Sequence, residues 1–306
     1  MTSPMTRERS GFFLGAAAYL LWGAFPLYWP LLEPAGAVEI LAHRVAWSVI
    51  TMGIVLVLAR RVPHLRAILR DRRARGLLAV AAVLIAVNWG TYIWGVNNHR
   101  VVETALGYFI NPLVTVVMGV VFLGERLRRW QWIAVGVAAA AVIGLAVEYG
   151  HPPWVALALA FSFGSYGLLK KKAGVEAVES LTFETIVLAP VALAYLIWLG
   201  SQGQGHFTSE GPGHAVLLMT TGIVTAVPLL CFGAAAIRVP MTTLGLLQYV
   251  TPILQFLLGI TVRHEQMSSA RWAGFALVWV ALAVFTVEAT RHHRRQLALA
   301  AEASAA

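Results

Sequence analysis

Apolar stretches of about 20 residues, separated by short polar segments, follow one another along almost the whole chain. A helix needs about 20 apolar residues to cross the roughly 30 Å hydrocarbon core of a bilayer. Backbone groups in that core must bond to one another, and stretches of this length fit helices rather than barrel strands. The pattern predicts an all-α integral membrane protein with ten spans, at residues 11–31, 38–58, 77–96, 101–123, 130–147, 153–169, 180–199, 214–237, 241–262 and 270–288.

Composition supports lipid as the solvent of most side chains. Of 306 residues, 59% are hydrophobic and 12% are charged, against about 25% charged in ordinary globular proteins. Cys231 is the single cysteine, which excludes a disulfide within the chain and a cysteine-based metal site. The first apolar stretch is longer than a signal-peptide core, so we expect an uncleaved first helix.

The basic residues are distributed unequally between the two sides of the predicted membrane. Of 23 Lys and Arg, 19 fall on the side of the N-terminus, three fall on the other side, and Arg44 lies within a span. The positive-inside rule therefore predicts a multi-pass protein of a bacterial-type inner membrane with both termini cytoplasmic. Seven arginines between Arg60 and Arg75 are expected to contact anionic headgroups. This placement explains the net charge of +9 without a nucleic-acid partner.

The chain matches itself at a shift of 140 residues. The shift pairs Glu39 with Glu179, Pro112 with Pro252, Gly119 with Gly259, Glu125 with Glu265, and Trp132 with Trp272. Each unit holds five predicted spans, and because five is odd the second unit must be inverted in the membrane. The sequence predicts two inverted five-helix repeats, at 10–148 and 150–288, followed by a cytoplasmic tail at 289–306. Inverted repeats with a site near the midplane are a recurring plan of secondary transporters.

Polar residues recur at the same depth in both units. Spacings of three and four place them on one face of the fourth span and one face of the ninth, and about 15 Å of helix separates them from the membrane surface. The two faces carry Tyr108, Asn111 and Thr115, and Gln248, Thr251 and Gln255. Pro112 and Pro252 lie beside them, and because proline has no N–H we expect a break in each helix. We predict a solute-binding pocket here; the alternative is that these groups only bond helix to helix.

Further lining is predicted from the third span, where Asn88 and Tyr92 share one face. Trp22, Trp89 and Trp94 are candidate apolar walls. Aromatic residues of membrane helices more often serve as packing or as interface anchors, and that alternative is the favoured one for the tryptophans.

Ionisable residues inside spans are functional candidates, because burying charge in lipid is costly. They are Glu39, His43, Arg44, Glu103 and Glu184. Arg44 and Glu184 are separated by roughly 15 Å along the membrane normal, so we expect Arg44 to pair with Glu103 instead. His43, and secondly Glu184, could couple transport to protons. The alternatives are snorkelling of the charged groups towards headgroups and a neutral, buried His43.

Enzyme motifs are absent from the sequence. His264-Glu265 does not continue as H-E-x-x-H, and no G-x-S-x-G elbow or Walker A loop occurs. We therefore expect neither an enzyme nor a cofactor or metal. A membrane-embedded lipid-modifying enzyme would need a cluster such as Glu39, His43 and Glu103, and a non-transporting structural protein would have no polar cavity at the midplane.

Five short segments carry a resemblance to a known family. LGYFINP at 106–112, GERL at 124–127 and QW at 131–132 resemble EamA-type permeases, and EILAHR at 39–44 and YIWGVN at 92–97 resemble their RarD-like branch in the drug/metabolite transporter superfamily. The second unit departs from this pattern with RHE at 263–265. The resemblance implies a ten-helix inner-membrane permease built from two EamA units. We expect alternating access for small metabolites or drugs, with efflux favoured over uptake and a homodimer left open.

Overall fold

The computed structural model describes residues 4–123, 129–150, 152–236, 238 and 247–305. All regular elements in these residues are helices. They are α1 Pro4–Gly23, α2 Phe25–Tyr28, a 3-10 helix Trp29–Leu32, α3 Ala37–Leu58, α4 Val62–Arg70, α5 Arg72–Asn97, α6 Val101–Leu123, α7 Arg129–Tyr149, α8 Trp154–Ala173, α9 Ala177–Ser201, α10 His206–Ser209, α11 Gly211–Ala236, α12 Val250–Thr261 and α13 Ser269–Ala305.

Six helices are long and apolar enough to cross a bilayer: α3, α5, α7, α9, α11 and the first part of α13. The first predicted span is bent by 42° between α1 and α2, and counting it as one span gives a seventh. Pro26 and Pro30 lie in the first turns after this bend, where a missing N–H costs little. The remaining predicted spans coincide with α6 and with the shorter apolar helices α8 and α12. The count of ten spans therefore stays a prediction.

The arginine-rich segment after α3 contains the short helix α4, where the hydropathy pattern indicates only a loop between two spans. Leu65 and Ile68 of α4 are buried against Leu56 and Leu78, while the arginines of α4 are exposed. The three-residue spacing of these apolar positions gives α4 one buried face. This helix packs against α5 and α9.

Three pairs of helices related by the 140-residue shift, α3–α9, α6–α12 and α7–α13, pack against each other and run antiparallel. Glu39, in the first turn of α3, binds His206 just after α9, whereas Arg61 after α3 binds Glu176 just before α9. Glu265, just after α12, binds the N–H of Val101 at the start of α6. The α7–α13 pair has the same antiparallel contact between the end of one helix and the start of the other.

The remaining large contacts also come in matched pairs. α1 packs on α11 and its counterpart α8 packs on α5; α6 packs on α8 and its counterpart α12 packs on α1; α3 packs on α11 and its counterpart α9 packs on α5. Small residues allow two of these crossings to be close. A Cβ added at Gly222 of α11 would lie 2.5 Å from the Trp47 carbonyl of α3, and one at Gly107 of α6 would lie 2.8 Å from the Ala156 oxygen of α8.

Large apolar side chains cover the outside of the bundle. Leu58, Val147, Val191 and Ile197 are each more than 70% exposed. In water this surface would be unfavourable, whereas lipid solvates it. The surface therefore agrees with the membrane reading of the sequence.

Candidate functional site

A cavity of about 430 Å³ lies between helices of both halves of the chain. Its walls come from α1, α2, α3, α5, α6, α8, α9, α11 and the start of α12. Most of the lining is apolar or aromatic, and the polar groups among the described residues are Tyr19, Arg44, Asn88, Tyr92, Tyr108, Asn111, Tyr166, Lys170, Gln248, Thr251 and Gln255. Seven of the eight predicted solute-binding residues thus reach one cavity. The eighth, Thr115, has its side chain outside the described part of the chain.

The predicted helix breaks are not seen in the form expected. The backbone of α6 is helical from Val101 to Leu123, so the chain is not interrupted at residue 112; the Pro112 ring itself lies outside the described side chains. A proline removes one hydrogen bond of the ladder, and the flanking bonds can hold the helix. Pro252 lies in the first turn of α12, which begins at Val250, and it lines the cavity.

Two polar side chains of α12 bind the backbone of α1. Thr251 Oγ1 donates to the Tyr19 carbonyl at 2.8 Å, and Gln255 Nε2 donates to the Trp22 carbonyl at 3.1 Å. Pro26 has no N–H to offer the Trp22 carbonyl four residues earlier, so Gln255 satisfies an acceptor that proline left free. For these two groups the helix-to-helix alternative also holds. Gln255 Oε1 is nevertheless buried with no hydrogen-bond partner in the described structure.

The third and fourth predicted spans contribute a polar cluster on the opposite wall. Asn88 Nδ2 donates to the Leu159 carbonyl and to Ser162 Oγ at 3.0–3.1 Å. Tyr108 packs edge-to-face on Tyr92, with ring centroids 5.7 Å apart. The Tyr92 hydroxyl is buried without a hydrogen-bond partner in the part that the structure describes. Of this cluster, the Tyr92 hydroxyl is therefore the group left available to a molecule in the cavity.

Arg44 lines the cavity and is only 3% exposed, so it does not snorkel. Its Nε donates to Thr225 Oγ1 of α11 at 2.8 Å. The guanidinium lies 4.0 Å from the ring centroid of Trp89 and 5.0 Å from that of Trp29. Stacking on aromatic faces is a favourable environment for this planar cation.

The predicted ion pair between Arg44 and Glu103 is wrong. Glu103 instead accepts from Arg100 at 3.2 Å and from the backbone N–H of Val155 at 3.1 Å. The start of α8 offers an unsatisfied N–H, and Arg100, just before α6 and three residues from Glu103, completes the site. As expected, no ion pair joins Arg44 to Glu184 among the described residues, and Glu184 pairs with Lys170 at 3.3 Å.

The cavity is closed at the end where α6 and α8 begin, which we call the closed end. Glu265 accepts from the N–H of Val101 and from that of Val102, the latter at 2.9 Å. Burial raises the pKa of the Glu265 carboxyl, while the two N–H groups lower it. Glu39 accepts from the N–H of His206 at 2.6 Å and faces the His206 ring at 2.7 Å.

Two further contacts join α11 to the α2 region at the closed end. Tyr28 Oη lies 2.8 Å from Thr220 Oγ1 and donates to the Leu217 carbonyl at 3.1 Å. His214 faces the Leu32 carbonyl from one ring nitrogen at 3.0 Å. Trp29 and Leu32 are fully buried beneath these contacts.

The opposite end of the cavity reaches exposed residues, and we call it the open end. The lining here includes Lys170, Val175 and Ala177, at the junction of α8 and α9. Lys170 Nζ lies 3.3 Å from Glu184 Oε1, which also accepts from Ser180 at 2.6 Å.

At the rim of the open end, Arg61 bridges Glu176 and Glu179 at 2.8–3.0 Å. These carboxylates raise the pKa of Arg61.

The predicted cluster of Glu39, His43 and Glu103 does not converge. Glu39 binds His206, and Glu103 caps α8. His43 is buried with its ring stacked on Phe207, at a centroid distance of 5.1 Å, and it is not part of the cavity lining.

Sequence reasoning missed several residues of the cavity and its support. Thr225, which anchors Arg44, and Tyr166, which bonds to Glu184, lie in segments that the sequence indicates only as apolar spans. Lys170, which pairs with Glu184, follows the sixth predicted span and counts there only as one of the cytoplasmic basic residues. Their signal in the sequence would have been polar residues on the faces of α11 and α8 that pack towards α3 and α9. Trp22 and Trp89 line the cavity, whereas Trp94 packs on Trp154 instead.

A family model described as the EamA-like transporter family matches residues 9–147 and again residues 153–287. The chain belongs to this EamA-like transporter family. It is 57% identical over 291 residues to Protein RarD of Streptomyces exfoliatus, covering 95% of this chain and 92% of that protein. It is 45% identical to Protein RarD of Escherichia coli (strain K12), covering 94% and 98%.

The chain is therefore a RarD-like EamA permease, a multi-pass bacterial membrane protein and a membrane transporter. That membership agrees with the reading of the sequence as a transporter rather than an enzyme. A solved structure described as "Crystal structure of protein" is similar with a TM-score of 0.59 at 21% identity, over 92% of this chain and 98% of that one. At this identity the likeness concerns the fold.

Proposed function

We propose that the chain is a secondary active transporter that moves small metabolites or drugs by alternating access. Its ten spans form two inverted five-helix units, at 10–148 and 150–288, and both termini are cytoplasmic. The single observation that carries the proposal is a cavity lined by residues that are related by the 140-residue shift and that the sequence predicts near the bilayer midplane. Tyr108 and Gln248 are one such pair, and Asn111 and Thr251 are another.

The packing of the helices supports the inverted units. Each of the pairs α3–α9, α6–α12 and α7–α13 is antiparallel, and the contacts between different helices of the two halves occur in matched pairs. Such a two-fold arrangement lets one set of contacts open as its counterpart closes.

Among the described residues, the cavity is open at one end only, which supports a state of the transport cycle with access from one side of the membrane. It reaches exposed residues at the α8–α9 junction, beside Lys170, and is closed by hydrogen bonds at the opposite end. The distribution of basic residues assigns the open end to the cytoplasm. The arrangement is then open to the inside, and the solute enters from the cytoplasm for efflux, which is the favoured direction. Anionic headgroups contact the Arg60–Arg75 segment.

Tyr108, Asn111, Thr115, Gln248, Thr251 and Gln255 bind the solute in this proposal, with Asn88 and Tyr92. Glu184 and His43 are the groups assigned to proton coupling. Glu184 is the stronger of the two, since it is 1% exposed and bonded to Tyr166, which lines the cavity.

Solute counterflow in proteoliposomes, with and without an imposed pH gradient, tests the proposal on a panel of amphipathic solutes. We expect a subset of solutes to be taken up by the wild type. The variants Asn111→Ala and Thr251→Ala should lose most uptake while eluting normally in size-exclusion chromatography. Thr261→Ala in the same helix is the matched control, because its hydroxyl only bonds its own helix at an exposed site. Unchanged uptake in both cavity variants would reject the site.

A further inference from the structure

Arg44 places a full positive charge against the wall of the cavity. An arginine side chain remains protonated in proteins and offers five N–H donors. Of these, Nε–H is used by Thr225 Oγ1, which fixes the orientation of the guanidinium. The group is 97% buried and belongs to the lining, so its remaining donors have little access to water.

No carboxylate lies within ion-pair distance of Arg44 in the described residues. Lys170, the other basic residue of the described lining, is balanced by Glu184 at 3.3 Å. Two acids of the closed end are also used elsewhere, since Glu103 pairs with Arg100 and Glu39 with His206. The described lining of the cavity therefore carries one positive charge that the protein leaves uncompensated. A buried charge without a partner is costly, and such groups are retained where a ligand supplies the partner.

A second observation points to the same kind of ligand. The Tyr92 hydroxyl is buried, lines the cavity and has no hydrogen-bond partner in the described structure. The Tyr92 hydroxyl can therefore donate to a ligand, and the free N–H groups of Arg44 also need a hydrogen-bond acceptor. A planar carboxylate offers several lone pairs and matches the fork of a guanidinium.

The remaining walls are largely aromatic. Trp89 stacks on Arg44 at 4.0 Å, and Phe25, Trp22, Phe163 and Phe232 line the same space. A cavity of about 430 Å³ is within the range that holds small organic molecules. A flat apolar body with an anionic end fits this combination better than a cation or a small inorganic anion.

We infer that the transporter recognises organic anions, and that Arg44 is the anchor for their carboxylate while the aromatic walls hold an apolar or aromatic body. This assignment rests on the proposed function, because it names the solute class of the same cavity. A cationic solute is repelled by Arg44, and a neutral solute leaves the charge unpaired. Thr225 is a positioning residue that holds the guanidinium in place.

Binding of three probes of similar size to the purified full-length protein tests the inference. The probes are phenylacetate, its neutral isostere phenylacetamide and the cation phenethylamine, measured by isothermal titration calorimetry. We expect the wild type to bind phenylacetate about tenfold more tightly than phenylacetamide, because hydrogen bonds to charged groups are the stronger ones. Acetate, which lacks the ring, should bind more weakly than phenylacetate.

Variants then separate charge from shape. Arg44→Gln should lose the preference for phenylacetate over phenylacetamide, whereas Arg44→Lys should keep a reduced preference. Thr225→Val leaves the charge in place and should lower the preference by less than Arg44→Gln does. Arg66→Gln, on the exposed face of α4, is the matched control and should bind like the wild type. Because the readout is a ratio of two affinities, a variant that folds less well still reports it.

The inference is overturned if the wild type binds phenylacetamide or phenethylamine as tightly as phenylacetate, or if Arg44→Gln keeps the full preference. It is also overturned if the wild type binds none of the carboxylates at millimolar concentration, or binds acetate as well as phenylacetate. Counterflow distinguishes this failure from failure of the proposed function. Uptake of neutral or cationic solutes only would overturn the anion inference and keep the proposed transport function. Tight binding of carboxylates without any uptake would overturn the transport function and keep the anion inference.

Discussion

The two ends of the helix bundle use their acidic residues differently. At the closed end, Glu39, Glu103 and Glu265 each accept from a backbone N–H at the start of a neighbouring helix. At the open end, Glu179 and Glu184 pair with the side chains of Arg61 and Lys170. A backbone N–H is fixed in its helix, so a carboxylate bound to it ties two helices together, and the helix dipole strengthens the bond. Long basic side chains can keep their partners while the helices separate.

This difference suggests that the closed end holds the transporter in its present state. The cavity is sealed where the carboxylates bind helix starts, and it is accessible where they bind side chains. Each variant below is made in a Cys231→Ser, Phe25→Cys background, because Cys231 is the native cysteine and Phe25 lines the cavity. A membrane-impermeant maleimide applied from the closed-end face then reports opening of that end.

The largest effect is expected from Glu265→Gln. It removes the charge from two backbone hydrogen bonds between the segment after α12 and the start of α6. Charge-assisted bonds contribute about 2 kcal/mol, which corresponds to roughly a 30-fold shift towards the state open at this end. Labelling from the closed-end face should accelerate accordingly. The exposed Glu210→Gln is the control; equal rates for the two variants would show that Glu265 does not hold this end.

A smaller acceleration is expected from Glu39→Gln. This carboxylate binds one backbone N–H, that of His206, and the ring of the same residue. The amide can keep one of these contacts, so the shift should be about tenfold, or about 1.4 kcal/mol. The maleimide rate measures it, and a rate equal to that of wild type would assign the seal to Glu265 alone.

Tyr28→Phe should have a weaker effect still. It removes neutral hydrogen bonds to Thr220 and to the Leu217 carbonyl while keeping the ring that packs on Trp29. Neutral bonds contribute about 1 kcal/mol, a shift of roughly fivefold. An effect as large as that of Glu265→Gln would remove the distinction between charged and neutral contacts at this end.

Lys170→Met should leave labelling from the closed-end face unchanged. Lys170 belongs to the open end, and Glu184 keeps Tyr166 and Ser180 as partners after the substitution. The variant therefore tests whether the two ends act separately. Faster labelling from the closed-end face would show that the pair at the open end also controls the opposite seal.

The sequence predicted the helical membrane class and most of the polar residues of the cavity lining, because both follow from local patterns. Asn88, Tyr108 and Asn111 share faces by helical spacing, and the 140-residue shift located Gln248 and Thr251 opposite them. Helical periodicity and the internal repeat are enough to place these residues. Thr225 as the partner of Arg44 depends on how α3 and α11 pack, which spacing along one helix does not specify.

The ion pairs were the weakest part of the prediction. Depth in the membrane made Glu103 a reasonable partner for Arg44, but depth does not give the rotation of a helix about its axis. Glu103 faces α8, where an unsatisfied N–H of Val155 competes for it. The bend after α1 is a similar case. Pro26 leaves the Trp22 carbonyl without an N–H from its own helix, and Gln255 of α12 bonds to it, which the spacing along α1 does not specify.

Accessibility of the cavity from each face tests the central claim most directly. A single cysteine at Thr251, in the Cys231→Ser background, is exposed to impermeant maleimide in right-side-out and in inside-out vesicles. The account predicts fast labelling from the face of the basic loops and slow labelling from the other face, with the slow rate rising in Glu265→Gln. Two results would contradict a cavity with alternating access. One is equal labelling from both faces in the protein that keeps Glu265, and the other is no labelling from either face with or without Glu265→Gln.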